Sequence, residues 1–340
     1  MKRKAFIAGA AAVAVLGVAM LCFALSLYTD YRRSAFSGRS EIYVRPGEDP
    51  QALLDSILAT GSVRHPRSLK RCFSRTGADE SVKVGHYTLD PTSCGMYAAR
   101  MFRNGWQSPV NLTLSGAIRS KGALSRKIGA QMLLDSSDVA DALVSPAFLA
   151  GYGVDTTTLF CLIIPDTYQV YWTDPVEKVF DTFKTAHDRF WTEERQRKAS
   201  AQGLTPNEVS VLASIVDGET RYVPEQPAIA GVYLNRLHTG MKLQADPTVA
   251  YLYGYTLRRI LKRHLEIDSP YNTYMYAGLP PGPISCPPKS CLEAVLNPDR
   301  HGYLYFCANP SFDGSHLFAT TYPEHLRNAR AFQKALSERL

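Results

Sequence analysis

Residues 205–220 read Thr-Pro-Asn-Glu-Val-Ser-Val-Leu-Ala-Ser-Ile-Val-Asp-Gly-Glu-Thr, and the rest of the chain is organised around them. Thr205 followed by Glu208 is a capping-box pattern, and Pro206 takes the first helical position, where a missing N–H removes nothing. A helix is predicted to start there. Val209, Leu212, Ala213 and Val216 follow at i, i+3, i+4 and i+7, one apolar face turned towards a core. Glu219 sits one turn after Ile215 and Val216, at the edge of that face, whereas Asp217 points to a nearly opposite side. One acid is thus predicted inward and the other outward. A carboxyl group against apolar walls has its charged form disfavoured, stays protonated nearer neutrality, and suits a proton donor. Helix-end glutamates are also common salt-bridge partners, and such networks perturb acids too. The segment alone favours that plainer role; the sequence after it reverses the balance.

A chain of 340 residues, 45% hydrophobic and 20% charged, is an ordinary folded protein with room for two or three domains. Its net charge of +7 and pI near 9.0 favour an anionic neighbourhood. No zinc pattern, RNP-like strand or recognition helix points to nucleic acid, so a membrane surface or an anionic cell-wall polymer is the simpler partner. Residues 5–29 carry no charge and are long enough to span a bilayer, with Lys2, Arg3 and Lys4 directly before them. This predicts a single-pass anchor through residues 5–29, the N-terminus cytoplasmic and the bulk of the chain outside. Ala24-Leu25-Ser26 is a poor cleavage site, and Leu21 before Cys22 is too bulky for a lipobox. Six cysteines lie outside this segment: Cys72, Cys94, Cys161, Cys286, Cys291 and Cys307. Pairs such as Cys72 with Cys94 or Cys286 with Cys291 are open in an oxidising envelope, and spacing cannot choose among them. None has metal-ligand spacing, so no metal and no cofactor is expected.

In chain order, residues 30–40 read as a polar linker. Residues 41–107 read as a compact α+β module of two strand–helix units: strand 41–45, helix 50–58, strand 82–89, helix 95–102. Residues 108–204 form a middle α/β region. Within it a strand at 110–114 precedes helices at 121–134 and 137–143, a buried strand at 159–164, and one long helix over 174–201. The last part, 205–340, continues with a helix over 228–238 that turns Ile229, Val232, Tyr233 and Leu237 inward. Loops rich in amides and aromatic rings follow, around Gln244, Asp246, Asn272, Tyr274 and 278–284, and look like the lining of a sugar groove. Strands at 303–306 and 316–319 and a helix over 326–336 close the chain.

The order of these motifs resembles the MltG/YceG-like family of membrane-anchored endolytic murein transglycosylases. The resemblance is carried by 212–220, Val-Tyr-Leu-Asn-Arg-Leu at 232–237, Met-Lys-Leu-Gln-Ala-Asp-Pro-Thr-Val at 241–249, 269–274, 278–284, Asp-Gly-Ser-His-Leu-Phe at 313–318 and Glu324-His325. Pro-Asp-Thr-Tyr at 165–168 matches upstream. Departures occur at Asp217 and Gly218, where much of the family has glutamate and lysine, at Ser115-Gly116 in place of Glu-Gly, and at Leu326 in place of Asn. A glycine near the helix end weakens its last turn by about 1 kcal/mol.

The resemblance implies an α+β protein with an N-terminal transmembrane helix, a small LysM-like module over 41–107, and a mixed α+β catalytic domain over 205–340 with a lysozyme-like helical core. It also implies location in the cell (inner) membrane, peptidoglycan glycan strands as substrate, and peptidoglycan synthases of the penicillin-binding class as partners. Glu219 falls on the catalytic glutamate, and Gln244, Asn272 and Tyr274 are assigned to holding the sugar and its developing oxocarbenium charge. The implied reaction breaks the β-1,4 bond from N-acetylmuramic acid to N-acetylglucosamine without water. Glu219 protonates the leaving oxygen, then accepts the muramoyl 6-hydroxyl proton as that oxygen closes on C1 to a 1,6-anhydro end. Asp246 is expected to be structural, capping the helix that starts near Pro247. Two rivals stand beside this reading: a hydrolase in which Asp246 partners Glu219, and a non-catalytic murein-binding scaffold.

Overall fold

A computed structural model of the protein describes residues 2–339, and its chain divides into two compact units. The first comprises Met1–Asn111 with Gln169–Thr173. It opens with α1 (Lys2–Tyr31), whose segment Gly9–Tyr31 holds an unburied 18-residue stretch with a mean hydropathy of 2.5. At about 1.5 Å per residue those 23 residues reach about 35 Å, enough for the hydrocarbon core of a bilayer. The helix continues past Thr29 because Asp30 is not in water. Its wholly buried carboxylate accepts hydrogen bonds from Ser68, from Arg71 at 2.7 Å and from Arg75 at 2.8 Å.

The expected linker over 30–40 is therefore not free. Ala35 and Phe36 are buried in the core of this unit, and Ser34 and Phe36 make bridges to Cys94 and Val63. After it come β1 (Ser40–Val44), α2 (Pro50–Ala59), α3 (Pro66–Thr76), β2 (Gly85–Leu89) and α4 (Gly95–Asn104). β1 and β2 pair antiparallel, Ser40 opposite Leu89 and Val44 opposite Gly85. Two strand–helix units are thus replaced by a strand–helix–helix–strand order with a third helix behind it. α3 has no counterpart in the sequence reading because cations crowd it; only Leu69, Cys72 and Phe73 mark the face it buries. Pro66 starts it and Gly77, at φ 70°, ends it.

The second unit comprises Leu112–Tyr168 with Asp174–Leu340, so the middle region is not a body of its own. Its helices begin with α5 (Lys121–Gly129), α6 (Ser136–Ala142), α7 (Pro146–Ala150) and α8 (Leu159–Leu162), while β3 (Val110–Thr113) and β4 (Thr167–Val170) each run across a boundary of the division. The apolar run 159–164 is buried as expected but forms the single helical turn α8, since a short fully buried run has no periodicity to separate helix from strand. The long helix expected over 174–201 is two: α9 (Val176–Phe190) and α10 (Glu193–Ala201). Phe190 and Trp191 both turn into the core, and the Thr192 hydroxyl caps the new helix on the Arg195 N–H.

α11 (Pro206–Glu219) follows, then α12 (Gln226–His238), α13 (Asp246–Leu252) and α14 (Lys289–Leu296). β5 (Tyr305–Ala308) and β6 (His316–Ala319) form an antiparallel hairpin, and α15 (Tyr322–Ser337) packs on it. β5 lies two residues later than predicted and is half-buried, not buried. α15 starts earlier than predicted because Thr321 caps it on the Glu324 N–H. All seven cysteines are free thiols, so neither Cys72 with Cys94 nor Cys286 with Cys291 is bridged.

The capping box of α11 is present in both directions: the Thr205 N–H donates to Glu208 Oε2 at 2.8 Å and the Glu208 N–H to the Thr205 hydroxyl at 3.3 Å. The rest of this helix differs from a one-faced amphipathic element. Every residue from Val209 to Val216 is buried, the two serines included, with α8, α10, α12, α13 and α14 packed around it. Burial of the serines is tolerated because both are bonded. Ser210 donates to the Pro206 carbonyl, and Ser214 donates to the Val211 carbonyl while accepting the Ile284 N–H at 3.0 Å. α11 is the axis of the second unit, and only its first and last turns emerge.

Candidate active site

That last turn ends with Glu219, half-buried at the floor of a cleft of about 350 Å³. The cleft is walled by α12, the start of α13, the loop around Tyr274, the β5–β6 hairpin and α15. The Tyr233 hydroxyl donates to Glu219 Oε1 at 2.5 Å from a side chain that is only 1% exposed. Burial pushes the Glu219 carboxyl up to about 7. The bond from Tyr233 opposes that rise, the Asp246 charge adds to it, and Arg236 partly offsets it. Burial and the Glu219 charge hold the Tyr233 phenol well above its ordinary range, so it stays a donor. With Oε1 accepting, an acidic proton on Glu219 belongs on Oε2.

Asp217 is not on the wet side of the helix. It is half-buried on the other flank, where Ser285 donates to it at 3.4 Å, and burial raises its pKa against the pull of Arg119. Gly218 between the two acids is required sterically. A Cβ there would lie 2.5 Å from Pro247 Cβ and 2.7 Å from its Cγ, so its lack of a side chain lets α13 close on α11. This contact brings Asp246, one residue before Pro247, to the cleft beside Glu219.

Asp246 caps nothing: it is the first residue of α13, Ala245 holds the cap position, and no side-chain cap bond is made. Its Oδ1 accepts the Tyr274 hydroxyl at 2.6 Å instead. Gln244 is exposed on the cleft wall with a left-handed backbone, φ 49°, fixed by its N–H to the Thr273 carbonyl at 3.0 Å. Such strain at a non-glycine residue is typical of functional positions. Tyr274 also lines the cleft, and burial and Asp246 raise its pKa far above the usual range.

Asn272 does not reach the cleft, which corrects its assignment to the sugar. It is wholly buried; its amide donates to the Leu265 and Ile267 carbonyls at 2.9 and 2.8 Å, and its oxygen takes the Tyr274 N–H at 3.0 Å. It shapes the loop that presents Tyr274. The structure thus unites Glu219, Gln244, Tyr274 and Asp246, and leaves Asn272 behind them.

Several cleft residues are absent from the sequence-based assignment. Tyr233 was legible only as an inward apolar position, and its hydroxyl is the part that matters. Arg236, within the same motif, is buried and donates to the Leu304 and Leu243 carbonyls at 2.7 and 2.6 Å, tying α12 to the β5 approach and to the loop before Gln244. His316 is clamped by Glu225, which accepts both its N–H and its Nδ1 at 2.8 Å. His325 stacks on Tyr305 with rings 25° apart, and burial lowers its pKa, so it is neutral near pH 7. Its Nδ1 is buried without a partner. Among the described residues no cluster of three or more His, Cys, Asp or Glu is placed to hold a metal ion.

The chain that builds this cleft is similar to several known proteins. It is 34% identical over 179 residues to an endolytic murein transglycosylase of Bacillus subtilis, covering 52% of this chain and 49% of that protein. It is 31% identical over 171 residues to one from Streptococcus pneumoniae strain D39, covering 49% of this chain and 31% of that protein. The chain therefore spans about half the length of the first relative and about a third of the second. The crystal structure of a yceG-like protein from Listeria monocytogenes superposes with a TM-score of 0.55 at 26% identity, over 85% of this chain and 98% of that one. The family model of the YceG-like proteins matches residues 42–331, and the chain belongs to that family.

Proposed function

We propose that the protein is a membrane-anchored endolytic murein transglycosylase that cuts the bond from N-acetylmuramic acid to N-acetylglucosamine and leaves a 1,6-anhydro end. The observation that carries this reading is Glu219: a carboxyl group with a pKa near 7, opening on a cleft and bonded on one oxygen by Tyr233. A pKa at the working pH is what one group needs to serve first as acid and then as base. Glu219 gives its proton to the glycosidic oxygen, and that C–O bond breaks. The resulting carboxylate takes the proton of the muramoyl 6-hydroxyl, whose oxygen bonds to C1. Tyr233 keeps its bond to Oε1 through both steps, and the negative Asp246, oriented by Tyr274, faces the positive charge that develops at C1. Gln244 is the sugar-holding residue of the cleft wall. Supporting the anchor, α1 is apolar over more than the bilayer core, and the positive charges of Lys2, Arg3 and Lys4 before it favour a cytoplasmic N-terminus. The antiparallel strand–helix–helix–strand order of the first unit supports the LysM-like reading and murein binding there, with α11 as a lysozyme-like central helix in the second. Peptidoglycan synthases are the partners this placement at the membrane suits.

The presence of Asp246 in the same cleft favours one second reading, the hydrolase with two carboxylates. Mass spectrometry of products from purified glycan strands separates them. Anhydromuramoyl ends from wild type and none from Glu219→Gln are expected. Reducing ends would shift the assignment to hydrolysis, and unchanged cleavage by the variant would remove Glu219 from the chemistry.

A further inference from the structure

A larger cavity, about 670 Å³, opens elsewhere on the second unit, walled in part by Arg119, Lys121, Thr156, Thr157, Tyr251 and Tyr255. Its size is within the range of small-ligand pockets. Two cations line it, and among the described residues neither makes a side-chain hydrogen bond or an ion pair. The Arg119 guanidinium lies 4.5 Å from the ring centre of Tyr255, whose hydroxyl is fixed on the Ile284 carbonyl at 2.9 Å. The planar donor fork of Arg119 is thus oriented with its donors unspent. Lys121 is half-buried, and desolvation lowers its pKa, the state of an ammonium lacking a partner.

Two acids act on this pair only through space, Asp217 on Arg119 and Asp155 on Lys121. One oxygen of Asp155, Oδ1, already accepts the Thr157 and Thr158 N–H groups at 2.8 and 2.7 Å and the Thr158 hydroxyl, and no ion pair joins its carboxylate to Lys121. They leave the cavity mildly positive, which suits a monoanion better than a phosphate. The remaining wall, with Leu159, Phe160, Leu252 and Pro283, is apolar and asks for carbon next to that anion.

We propose that this cavity binds the terminal carboxylate of a short peptide, with Arg119 and Lys121 as the anion-holding pair. Resting on the transglycosylase reading, the peptide is the stem carried by the glycan strand. α13 connects the two sites, with Asp246 in the cleft and Tyr251 and Leu252 in the cavity. Its rise between them is about 9 Å at 1.5 Å per residue, and an extended stem of about four or five residues spans roughly 13–18 Å. The cavity would then choose strands by their stems while Glu219 cuts the sugar.

The test is calorimetry on the full chain in detergent micelles with an N-acetylated dipeptide ending in D-alanine, its C-terminal amide, and inorganic phosphate. The acid should bind at least about tenfold tighter than the amide and tighter than phosphate, and Arg119→Gln should lose about tenfold or more. Lys121→Gln should lose less, and Arg119→Lys should recover part of the loss. Glu219→Gln should bind the acid like wild type, so failure of the glycan chemistry leaves this measurement standing. Both cavity variants should cut stem-free strands at the wild-type rate, which certifies their fold. If Arg119→Gln does not fold, Lys121→Gln decides. Equal binding of acid and amide, tighter binding of phosphate, no binding at about 10 mM, or a folded variant that binds like wild type overturns the proposal.

Discussion

Removing the Glu219 charge should stabilise the protein, and by an amount that depends on pH. In the unfolded chain a glutamate titrates at its ordinary value of 4.5; in the fold, burial raises Glu219 to about 7. Between those values the native state holds a proton that the unfolded state has released, so stability falls as pH rises. The loss begins near pH 4.5 and is complete above about pH 7. A difference of about 2.5 units at about 1.4 kcal/mol each gives roughly 3 kcal/mol. Glu219→Gln keeps the shape and an acceptor for Tyr233 but cannot ionise. Relative to wild type it should therefore gain roughly 3 kcal/mol between pH 4 and pH 8, or about 6–12 °C in the midpoint of the second unit. Paired thermal or urea unfolding of the two proteins at pH 4, 6 and 8 measures this. A stability difference that stays flat over that range would refute the placement of the Glu219 carboxyl in a desolvated site. A gain that appeared at pH 4 and vanished at pH 8 would mean the opposite shift.

Three further outcomes follow from the same geometry. Tyr233→Phe removes a bond that favours the ionised Glu219, worth about 1.5–3 kcal/mol for a charged acceptor. Its pH–rate profile should move to higher pH by about one unit or more, and an unmoved profile would deny Tyr233 its hold on the acid. Gly218→Ala places a methyl within 2.5–2.7 Å of Pro247 and should cost about 1–3 kcal/mol in unfolding experiments, with loss of activity as Asp246 is pushed away. A variant as stable and active as wild type would show that the approach of α13 is not tight. Asn272→Ala removes the buried amide that pairs the Leu265 and Ile267 carbonyls of a half-buried loop and should lose about 1–3 kcal/mol of stability. Because Asn272 has no direct access to the cleft, loss of substrate affinity at full stability would return it to the sugar-binding set.

The sequence by itself determined the helix and its acid. Capping by Thr205 and Glu208 is local, involving groups three residues apart, and the 3.6-residue period then fixes which side chains share a face with Glu219. The N-terminal span was legible for the same reason, since length and polarity are properties of one continuous segment. Tertiary structure decided everything that depends on a partner distant in the chain. Asp217 faces protein and not water because Ser285 and Arg119 lie over it, which helical geometry alone could not tell. Run 159–164 became a helical turn, and the helix over 174–201 broke at Trp191, because burial on all sides erases the periodic signal or lets a core position outrank local propensity. Asn272 looked like a sugar ligand since an amide in a loop has the same letters whether it meets a hydroxyl or the chain's own carbonyls. Tyr233 looked apolar since its ring obeys the helical pattern and only its last atom meets Glu219. Chemistry was written locally, and its surroundings were assembled from segments that the linear chain keeps apart.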